Sequence, residues 1–333
     1  MPNLEPHFHS KAITHLSDLG VSGVAEVLEQ AASWKLDPPG AHLVGRILGM
    51  VFFNPSLRTR TSFEAAMIRG GGNAIVLEVG NGVWKLEDRE GVIMDGDRTE
   101  HLKEAVPVLA RYVDALAVRA FSTGESDTKD ELDAVINGFR KYSTVPVISM
   151  ESAREHPCQG LADMLTLREN FGSLKGLTVT LSWAPHMKPL PKAVPNSFLL
   201  TAAAAGCNIQ IAHPEGFELY PAVVKQAEAY AAEAGGSVTV THDQIQALEG
   251  SHALYAKAWG GSGDGYLRQP EWMPTLNHLD HMADDAVFLH CLPVRRNLEV
   301  ADEVLDSPRC RVVDEAENRF HVQRVLLDRL FAS

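Results

Sequence analysis

The sequence predicts an α/β protein made of two doubly wound domains, each built on a parallel sheet. The chain has 333 residues, which is long for a single hydrophobic core and sufficient for two. Short apolar runs rich in β-branched residues alternate with longer helix-like segments along both halves of the chain. That alternation is typical of parallel sheets covered by helices on both faces.

The apolar runs and the segments between them define the predicted elements in chain order. The predicted strands are Ile47–Phe53, Ala74–Leu77, Ala115–Val118, Pro146–Ile148, Leu177–Leu181, Asn208–Ala212, Val238–Thr241, Ala253–Tyr255, Ala286–Leu289 and Arg311–Val313. The predicted helices are Ser17–Ser33, Phe63–Ile68, His101–Arg111, Thr128–Tyr142, Gly160–Phe171, Pro195–Ala205, Ala222–Ala234 and Val322–Leu330. The two halves meet near residues 145–155, and ligands of such folds bind at the carboxyl ends of the strands.

Composition excludes several classes of partner. The formal net charge of −13 makes the chain a poor candidate for binding nucleic acid or an anionic membrane. No apolar run approaches the ~20 residues of a membrane helix, and the first residues lack a basic-then-apolar leader. The four cysteines form no CxxC pair, which is typical of reduced thiols, so we expect a cytoplasmic protein. No HExxH motif, cysteine cluster or glycine-rich dinucleotide fingerprint indicates a metal or nucleotide cofactor.

Residues 54–62 join a predicted strand to a predicted helix with the sequence Asn-Pro-Ser-Leu-Arg-Thr-Arg-Thr-Ser. The first turn of a helix has unpaired backbone N–H groups and a partial positive charge, so it attracts anions. Hydroxyls of Ser56 and Thr59 and guanidinium groups of Arg58 and Arg60 add donors that suit phosphate oxygens. The alternative is an ordinary capped helix with a basic surface.

Three further polar strings follow predicted strands. Arg119 lies at a strand end, where it would serve either a surface ion pair or an anion site. The string His156–Gln159 offers an imidazole and an amide that can bind a carbonyl group, although a single His is more often structural. In the string His290–Asn297, Pro293 forces an extended turn that presents backbone carbonyls to an amino group. Nothing beside Cys291 in sequence would activate it as a nucleophile.

The strings Ser56–Arg60, His156–Gln159 and His290–Pro293 resemble the carbamoyl-phosphate signatures of the aspartate/ornithine carbamoyltransferase family. The resemblance spans nearly the whole chain in order and spacing. It implies a carbamoyl-phosphate-binding domain over residues 1–150, on which a C-terminal helix in residues 315–333 packs back. It also implies an amino-acid-binding domain over residues 151–314 and a homotrimer with shared active sites.

One branch of the family fits better than the others. Ornithine carbamoyltransferases carry an Asp and a Ser-Met-Gly loop for the α-amino group, and the region Tyr255–Gly260 contains neither. It is instead similar to enzymes that act on Nα-acylated ornithine, whose uncharged α-nitrogen needs no carboxylate. Lys257 would then bind the substrate α-carboxylate. In this branch the proline-rich stretch 183–197 threads a knot, which is rare in proteins.

The acyl group is either succinyl or acetyl, and the sequence favours succinyl. At the second position after Met94–Asp97 the acetyl type carries Glu and the succinyl type carries Pro, whereas this chain has Thr99 followed by Glu100. A Glu at that position would repel a succinyl carboxylate by roughly 4 kcal/mol at 4 Å and an effective dielectric of 20. A second departure is Glu299, where the acetyl type has a lysine that can be carboxylated.

The resemblance assigns roles to individual residues. The carbamoyl-phosphate site would comprise Ser56, Leu57 (through its N–H), Arg58, Thr59, Trp84, Arg119, His156, Gln159, Cys291, Leu292 and Arg319. Of these, the residues that act on the carbamoyl group would be Arg58, His156, Gln159 and Cys291. The acylornithine site would comprise Thr99, Glu151, His186, Lys257 and Arg295. Trp84 would come from a neighbouring subunit, and neither a cofactor nor a metal is implied.

The predicted function is carbamoyl transfer from carbamoyl phosphate to the δ-amine of N-succinyl-L-ornithine, a reaction of arginine biosynthesis. The first alternative is the same reaction on N-acetyl-L-ornithine. The second is a non-catalytic homologue that binds carbamoyl phosphate.

Overall fold

The computed structural model describes residues 12–121, 130–260 and 269–332. Its strands are β1 (Ala12–Ile13), β2 (Ile47–Phe52), β3 (Asn73–Glu78), β4 (Leu86–Glu87), β5 (Glu100–His101), β6 (Ala115–Arg119), β7 (Val147–Glu151), β8 (Thr178–Trp183), β9 (Asn208–Ala212), β10 (Ser237–Thr241), β11 (Ala253–Lys257) and β12 (Val287–Leu289). Its α-helices are Gly20–Leu36, Leu57–Arg69, Leu102–Leu109, Ala134–Tyr142, Pro157–Phe171, Ala193–Ala204, Pro221–Ala234, Gln244–Leu248, Leu276–Leu279, Asp302–Leu305 and Val312–Phe331. Among these described helices, none is both long and apolar enough to span a lipid bilayer.

The chain forms two compact units. The first contains the described residues up to Thr14, Pro39–Ser152 and the residues from Arg324 onward. The second contains His15–Pro38 and Ala153–Gln323. The helix Gly20–Leu36 belongs to the second unit because it packs on helices Pro157–Phe171 and Ala193–Ala204, although the predicted first domain ran over residues 1–150.

Each unit is built on a five-stranded parallel sheet, which confirms the predicted α/β class. In the first unit the strand order is β1-β7-β6-β2-β3, and in the second it is β10-β9-β8-β11-β12. Strand order therefore reverses between β2 and β6 in one sheet and between β8 and β11 in the other. Open parallel sheets bind ligands beside the carboxyl ends of the strands at such reversal points.

The register places site candidates at both reversal points. In the first sheet, Phe52 lies opposite Arg119, and Arg119 lies opposite Glu151. In the second sheet, Lys257 at the end of β11 lies opposite Trp183 at the end of β8. The carboxyl ends of parallel strands thus bring residues from distant parts of the sequence together within each unit.

One predicted strand is wrong, and one predicted helix is only partly described. Arg311–Val313 is not a strand, because the last helix begins at Val312 and only Cys310 bridges to Phe288 of β12. Adjacent β-branched residues favour strands locally, and tertiary packing overrides that weak preference here. The predicted helix start at Thr128 lies outside the described residues, and the described helix in that region is Ala134–Tyr142.

Candidate active site

The turn after β2 contains the residues for which an anion site is predicted in the first unit. Ser56 caps the helix Leu57–Arg69, and its Oγ accepts a hydrogen bond from Thr59 N at 3.2 Å. Asn54 Oδ1 accepts from Phe121 N at 2.8 Å, which ties the turn to the segment that follows β6. The exposed N-terminal turn of this helix therefore lies beside the end of β6.

Arg119 is the cation that faces this helix start. It is buried, donates to Thr59 Oγ1 at 3.4 Å and forms an ion pair with Glu151. Its guanidinium also lies over the Phe121 ring, 4.5 Å from the centroid. The Arg119 Nε–H is buried and donates to no described residue, so it suits an acceptor oxygen on a ligand.

Not every residue of the anion motif belongs to this cluster. Arg58 lies half-buried in the first helical turn, next to the fully buried Thr59. Arg60 points away and forms surface ion pairs with Glu78 at 2.7 Å and Glu64 at 3.5 Å. Glu151, predicted for the acylornithine site, is the partner of Arg119 in the first unit.

Trp84 and Thr99 lie on a surface segment of the first unit. The Trp84 side chain is 58% exposed, and its Nε1 donates to Glu100 Oε2 at 2.7 Å. Thr99 is exposed as well, and its backbone N donates to Lys85 O at 3.0 Å. Trp84 also lines an apolar cavity of about 270 Å³, which contains Leu77, Leu109 and other side chains of this unit.

The cations near Thr99 in sequence already have carboxylate partners. Lys85 pairs with Asp97. Arg89 and Arg98 both bind the buried Glu87, and their hydrogen bonds and charges hold the pKa of that carboxyl at about 2. To bind an acyl carboxylate as well, each of these cations would have to divide its hydrogen bonds between that ligand and its present carboxylate partner.

Two of the predicted carbamoyl-group residues, His156 and Gln159, lie in the second unit at the start of the helix Pro157–Phe171. His156 is buried at the N-cap position, and its backbone N donates to Ser197 Oγ at 2.6 Å. At Gly160 a Cβ atom would lie 2.6 Å from Ser197 O, so glycine is required for this close approach to helix Ala193–Ala204. The close helix pair fixes the position of Gln159.

The Gln159 amide joins three segments of the second unit. Its Nε2 donates to Asp163 Oδ1 and to Glu315 Oε1, both at 2.8 Å. Glu315 Oε2 accepts from His290 N at 2.9 Å, which links the last helix to the end of β12. Arg319 lies one turn beyond Glu315 and is buried.

The residues whose backbone carbonyls are predicted to accept from the carbamoyl nitrogen, Cys291 and Leu292, follow β12. Cys291 is buried next to the Tyr255 hydroxyl. Burial is the main reason that the pKa of Tyr255 is well above its usual value, and the nearby charges of Asp163 and Cys291 raise it further. Leu292 has a φ of 54°, and its peptide bond to Pro293 is cis. Its backbone N donates to His290 Nδ1 at 3.0 Å.

The three acylornithine candidates of the second unit cluster around Glu299. Lys257 Nζ lies 3.8 Å from Glu299 Oε1, and Arg295 N donates to Glu299 Oε2 at 2.8 Å. Arg295 Nε donates to His186 Nε2 at 3.2 Å. The cluster therefore combines cations suited to a carboxylate ligand with a buried carboxylate that holds them in place.

Three carboxyl residues of these networks were not among the predicted site residues: Asp163, Glu299 and Glu315. Asp163 is a charged residue four positions after Gln159 in an otherwise apolar helical run, which is the spacing that places two side chains on one helix face. For Glu299 the sequence indicates only a departure from the acetyl type, which has a lysine at that position. Within residues 12–121, 130–260 and 269–332, no group of three or more His, Cys, Asp or Glu side chains has metal-ligating geometry.

We predict that Glu299→Gln lowers the free energy of unfolding by about 3 kcal/mol at pH 7. Burial alone would raise the pKa of Glu299, but His290 and Lys257 outweigh it and hold the pKa at about 2, below the ordinary 4.5. This depressed value stabilises the fold above pH 4.5, and the contribution is lost as the pH falls through 2. Urea unfolding from pH 7 to pH 3 measures it, with the exposed Glu249→Gln as control. A difference from wild type that grows towards low pH would contradict the assignment.

Two family models cover most of the chain. Residues 11–169 match the carbamoyl-P binding domain of aspartate/ornithine carbamoyltransferase, and residues 191–330 match the Asp/Orn binding domain.

Individual relatives carry two different names. The N-acetylornithine carbamoyltransferase of Xanthomonas campestris pv. campestris is 42% identical over 313 residues, which are 90% of this chain and 92% of the relative. The N-succinylornithine carbamoyltransferase of Bacteroides thetaiotaomicron is 41% identical over 328 residues, 96% of this chain and 98% of the relative. One similar solved structure is an N-acetyl-L-ornithine transcarbamylase variant with proline in place of one glutamate, complexed with carbamyl phosphate and N-succinyl-L-norvaline. It has a TM-score of 0.92 and 40% identity, and covers 96% of this chain and 99% of that chain.

Proposed function

Since the chain belongs to the aspartate/ornithine carbamoyltransferase family, we propose that it carbamoylates the δ-amine of N-succinyl-L-ornithine. Carbamoyl phosphate is the donor, and the products are N-succinyl-L-citrulline and phosphate. Relatives named for both N-acetyl- and N-succinylornithine support an N-acylornithine acceptor.

The observation that best supports carbamoyl phosphate as the donor is the position of Arg119, which contacts the first turn of helix Leu57–Arg69. A helix N-terminus, the Thr59 hydroxyl and a buried guanidinium together provide what a phosphate group requires. Ser56, Arg58 and the N–H of Leu57 extend the same surface. Arg319 would close the phosphate end of the site.

The carbamoyl group would be held by residues of the second unit. Gln159 Oε1 accepts no hydrogen bond from any described residue, so it is suited to accept from the carbamoyl nitrogen. The carbonyls of Cys291 and Leu292 would share this role. His156, together with Arg58, would polarise the carbamoyl oxygen as negative charge develops on it.

The reaction needs positioning more than acid–base chemistry. The neutral δ-amine attacks the carbamoyl carbon, the new C–N bond forms, and the bond to the phosphate oxygen breaks with its electron pair leaving on phosphate. The departing phosphate can accept the proton that the amine loses. Holding the two reactants in line can contribute roughly 7–11 kcal/mol to lowering the barrier.

The acceptor would be held by Lys257, His186 and Arg295, whose cationic or polar groups suit the α-carboxylate and the acyl carbonyl. The carboxylate of Glu299, 3.8 Å from Lys257 Nζ, holds the lysine in place through an ion pair. We assign the succinyl group because Thr99 is uncharged where the acetyl type carries glutamate. In the solved relative, a variant with one glutamate replaced by proline is complexed with N-succinyl-L-norvaline, which supports the importance of losing such a charge.

We expect wild-type protein to use N-succinylornithine at a kcat/KM at least about tenfold above that for N-acetylornithine, with free ornithine inert. Thr99→Glu should lower the succinyl value about 10- to 100-fold, since solvent screening at this exposed position reduces the Coulomb repulsion of two carboxylates. Turnover of N-acetylornithine should change less than about threefold. A side-by-side assay of the three amines measures this, with the uncharged Thr99→Gln as matched control.

The alternative acceptor is N-acetylornithine, which the 42% identity to the Xanthomonas relative favours. A marked preference of the wild type for N-acetylornithine, left unchanged by Thr99→Glu, would establish that alternative and contradict the succinyl assignment.

We also propose that the protein is a cytoplasmic homotrimer in which Trp84 serves the site of a neighbouring subunit. The 58% exposure of this indole and the apolar cavity beside it support the proposal. Light scattering of the purified protein gives the number of subunits, and a monomer of full activity would contradict it.

The proline-rich stretch 183–197 is proposed to form the knot of the N-acylornithine branch. Its Leu190 O accepts from Gly260 N at 2.9 Å, so the stretch packs against the segment that follows β11. Its first residue, Trp183, also donates from Nε1 to Trp259 O at 2.9 Å.

A further inference from the structure

Two carboxyl groups set the orientation of the Gln159 amide. Both hydrogens of Nε2 are used, one on Asp163 Oδ1 and one on Glu315 Oε1, at 2.8 Å each. All three side chains are essentially inaccessible to solvent. A flipped amide would place its oxygen against two carboxyl oxygens, so only one orientation is stable.

The two carboxyl groups cannot both be ionised without a large cost. They lie within hydrogen-bonding reach of each other, and burial, the largest cause, raises the pKa of both. In the part of the chain that the structure describes, the groups that face them besides the Gln159 amide are Arg319 on the last helix, the Tyr255 hydroxyl on β11 and the backbone N of His290. With one facing cation, the pair is balanced when it carries one negative charge and one proton, which belongs to the pair rather than to either residue.

The oxygen of the same amide has no protein partner. Gln159 Oε1 is buried and accepts no hydrogen bond from any residue that the structure describes. A buried acceptor without a donor is costly, so its retention indicates a donor supplied by a ligand. An amide N–H₂, such as that of a carbamoyl group, is a donor of this kind.

We propose that Asp163 and Glu315 share one proton and act as positioning residues that hold the Gln159 amide with Oε1 turned to the carbamoyl nitrogen. This inference rests on the proposed function for the identity of the ligand. The shared proton itself is a property of the protein alone and can be tested without substrate.

The decisive variants are the isosteric Asp163→Asn and Glu315→Gln. Each provides an amide oxygen that accepts from Gln159 and an N–H that donates to the remaining carboxylate, and so reproduces the function of the shared proton. Infrared difference spectra should show the carbonyl stretch of a protonated carboxyl group in the wild type and its loss in both variants. The exposed Glu317→Gln on the same helix as Glu315 is the control and should keep the band.

Kinetics separate positioning from a structural role. The isosteric variants should keep the KM for carbamoyl phosphate within about threefold, whereas Asp163→Leu and Glu315→Leu should raise it about tenfold, the effect of one lost hydrogen bond. The KM for the N-acylornithine should stay unchanged. A carboxyl band that is absent from the wild type, or that persists in both isosteric variants, would overturn the proposal even if the leucine variants do not fold. Wild-type protein that carbamoylates no ornithine derivative would instead contradict the proposed function.

Discussion

Arg119→Gln is expected to lower kcat/KM for carbamoyl phosphate about a thousandfold. Arg119 is a buried cation beside a helix N-terminus. If it binds the phosphate as proposed, the substitution removes charge-assisted hydrogen bonds that are worth roughly 1.5–3 kcal/mol each. Steady-state rates at varied carbamoyl phosphate and saturating N-acylornithine measure the loss. Turnover equal to that of the wild type would show that the phosphate site is misassigned and would favour a different role for the turn at residues 54–62.

The experiment on Arg119→Gln must distinguish the loss of carbamoyl phosphate binding from a loss of folding. Arg119→Gln also leaves Glu151 buried without its cation, which can destabilise a fold by about 3–5 kcal/mol. The double variant Arg119→Gln/Glu151→Gln removes that charge, so it should regain stability in urea unfolding without regaining activity. Arg46→Gln is the matched control, because Arg46 lies in the same unit and is an exposed arginine that pairs with Asp114 at 3.5 Å.

Lys257→Met is expected to raise the KM for the N-acylornithine about 100-fold and to leave the KM for carbamoyl phosphate within about threefold. The ammonium group is the buried cation at the end of β11, where strand order reverses, and methionine keeps the length of the stem without the charge. A charge-assisted bond to a carboxylate in a buried site accounts for about 3 kcal/mol, which corresponds to that factor.

The control for Lys257→Met is Lys225→Met, at an exposed helical position of the same unit. Because Lys257→Met leaves Glu299 with one cation fewer, the double variant Lys257→Met/Glu299→Gln should recover stability while the KM stays high. An equal rise in the KM for both substrates would show that the substitution disturbs the fold rather than the acceptor site.

Much of the fold could be predicted because its signals are local. Asn208–Ala212 has the same bounds in prediction and structure, since a short β-branched run between turn residues leaves little freedom. The helix after β2 begins at Leu57, six residues before the predicted Phe63, because Ser56 caps it and brings the hydroxyl- and arginine-rich residues into its first turn. The prediction of a strand at Arg311–Val313 failed because a three-residue run contains too little periodicity to outweigh its packing in the last helix.

The sequence by itself determined the alternation of strands and helices, the hydroxyl- and arginine-rich turn at residues 54–62 that is predicted to bind an anion, and the family that its motifs resemble. Only the tertiary structure decided which charged and polar side chains are in contact. Arg119 pairs with Glu151, Gln159 binds Glu315, and Lys257 lies beside Glu299, in each case across many intervening residues. The reason is physical: periodicity and capping act over a few residues, whereas these partners are brought together by the register of parallel strands and by helix packing. Their charges become decisive only once burial removes the water that would otherwise screen them.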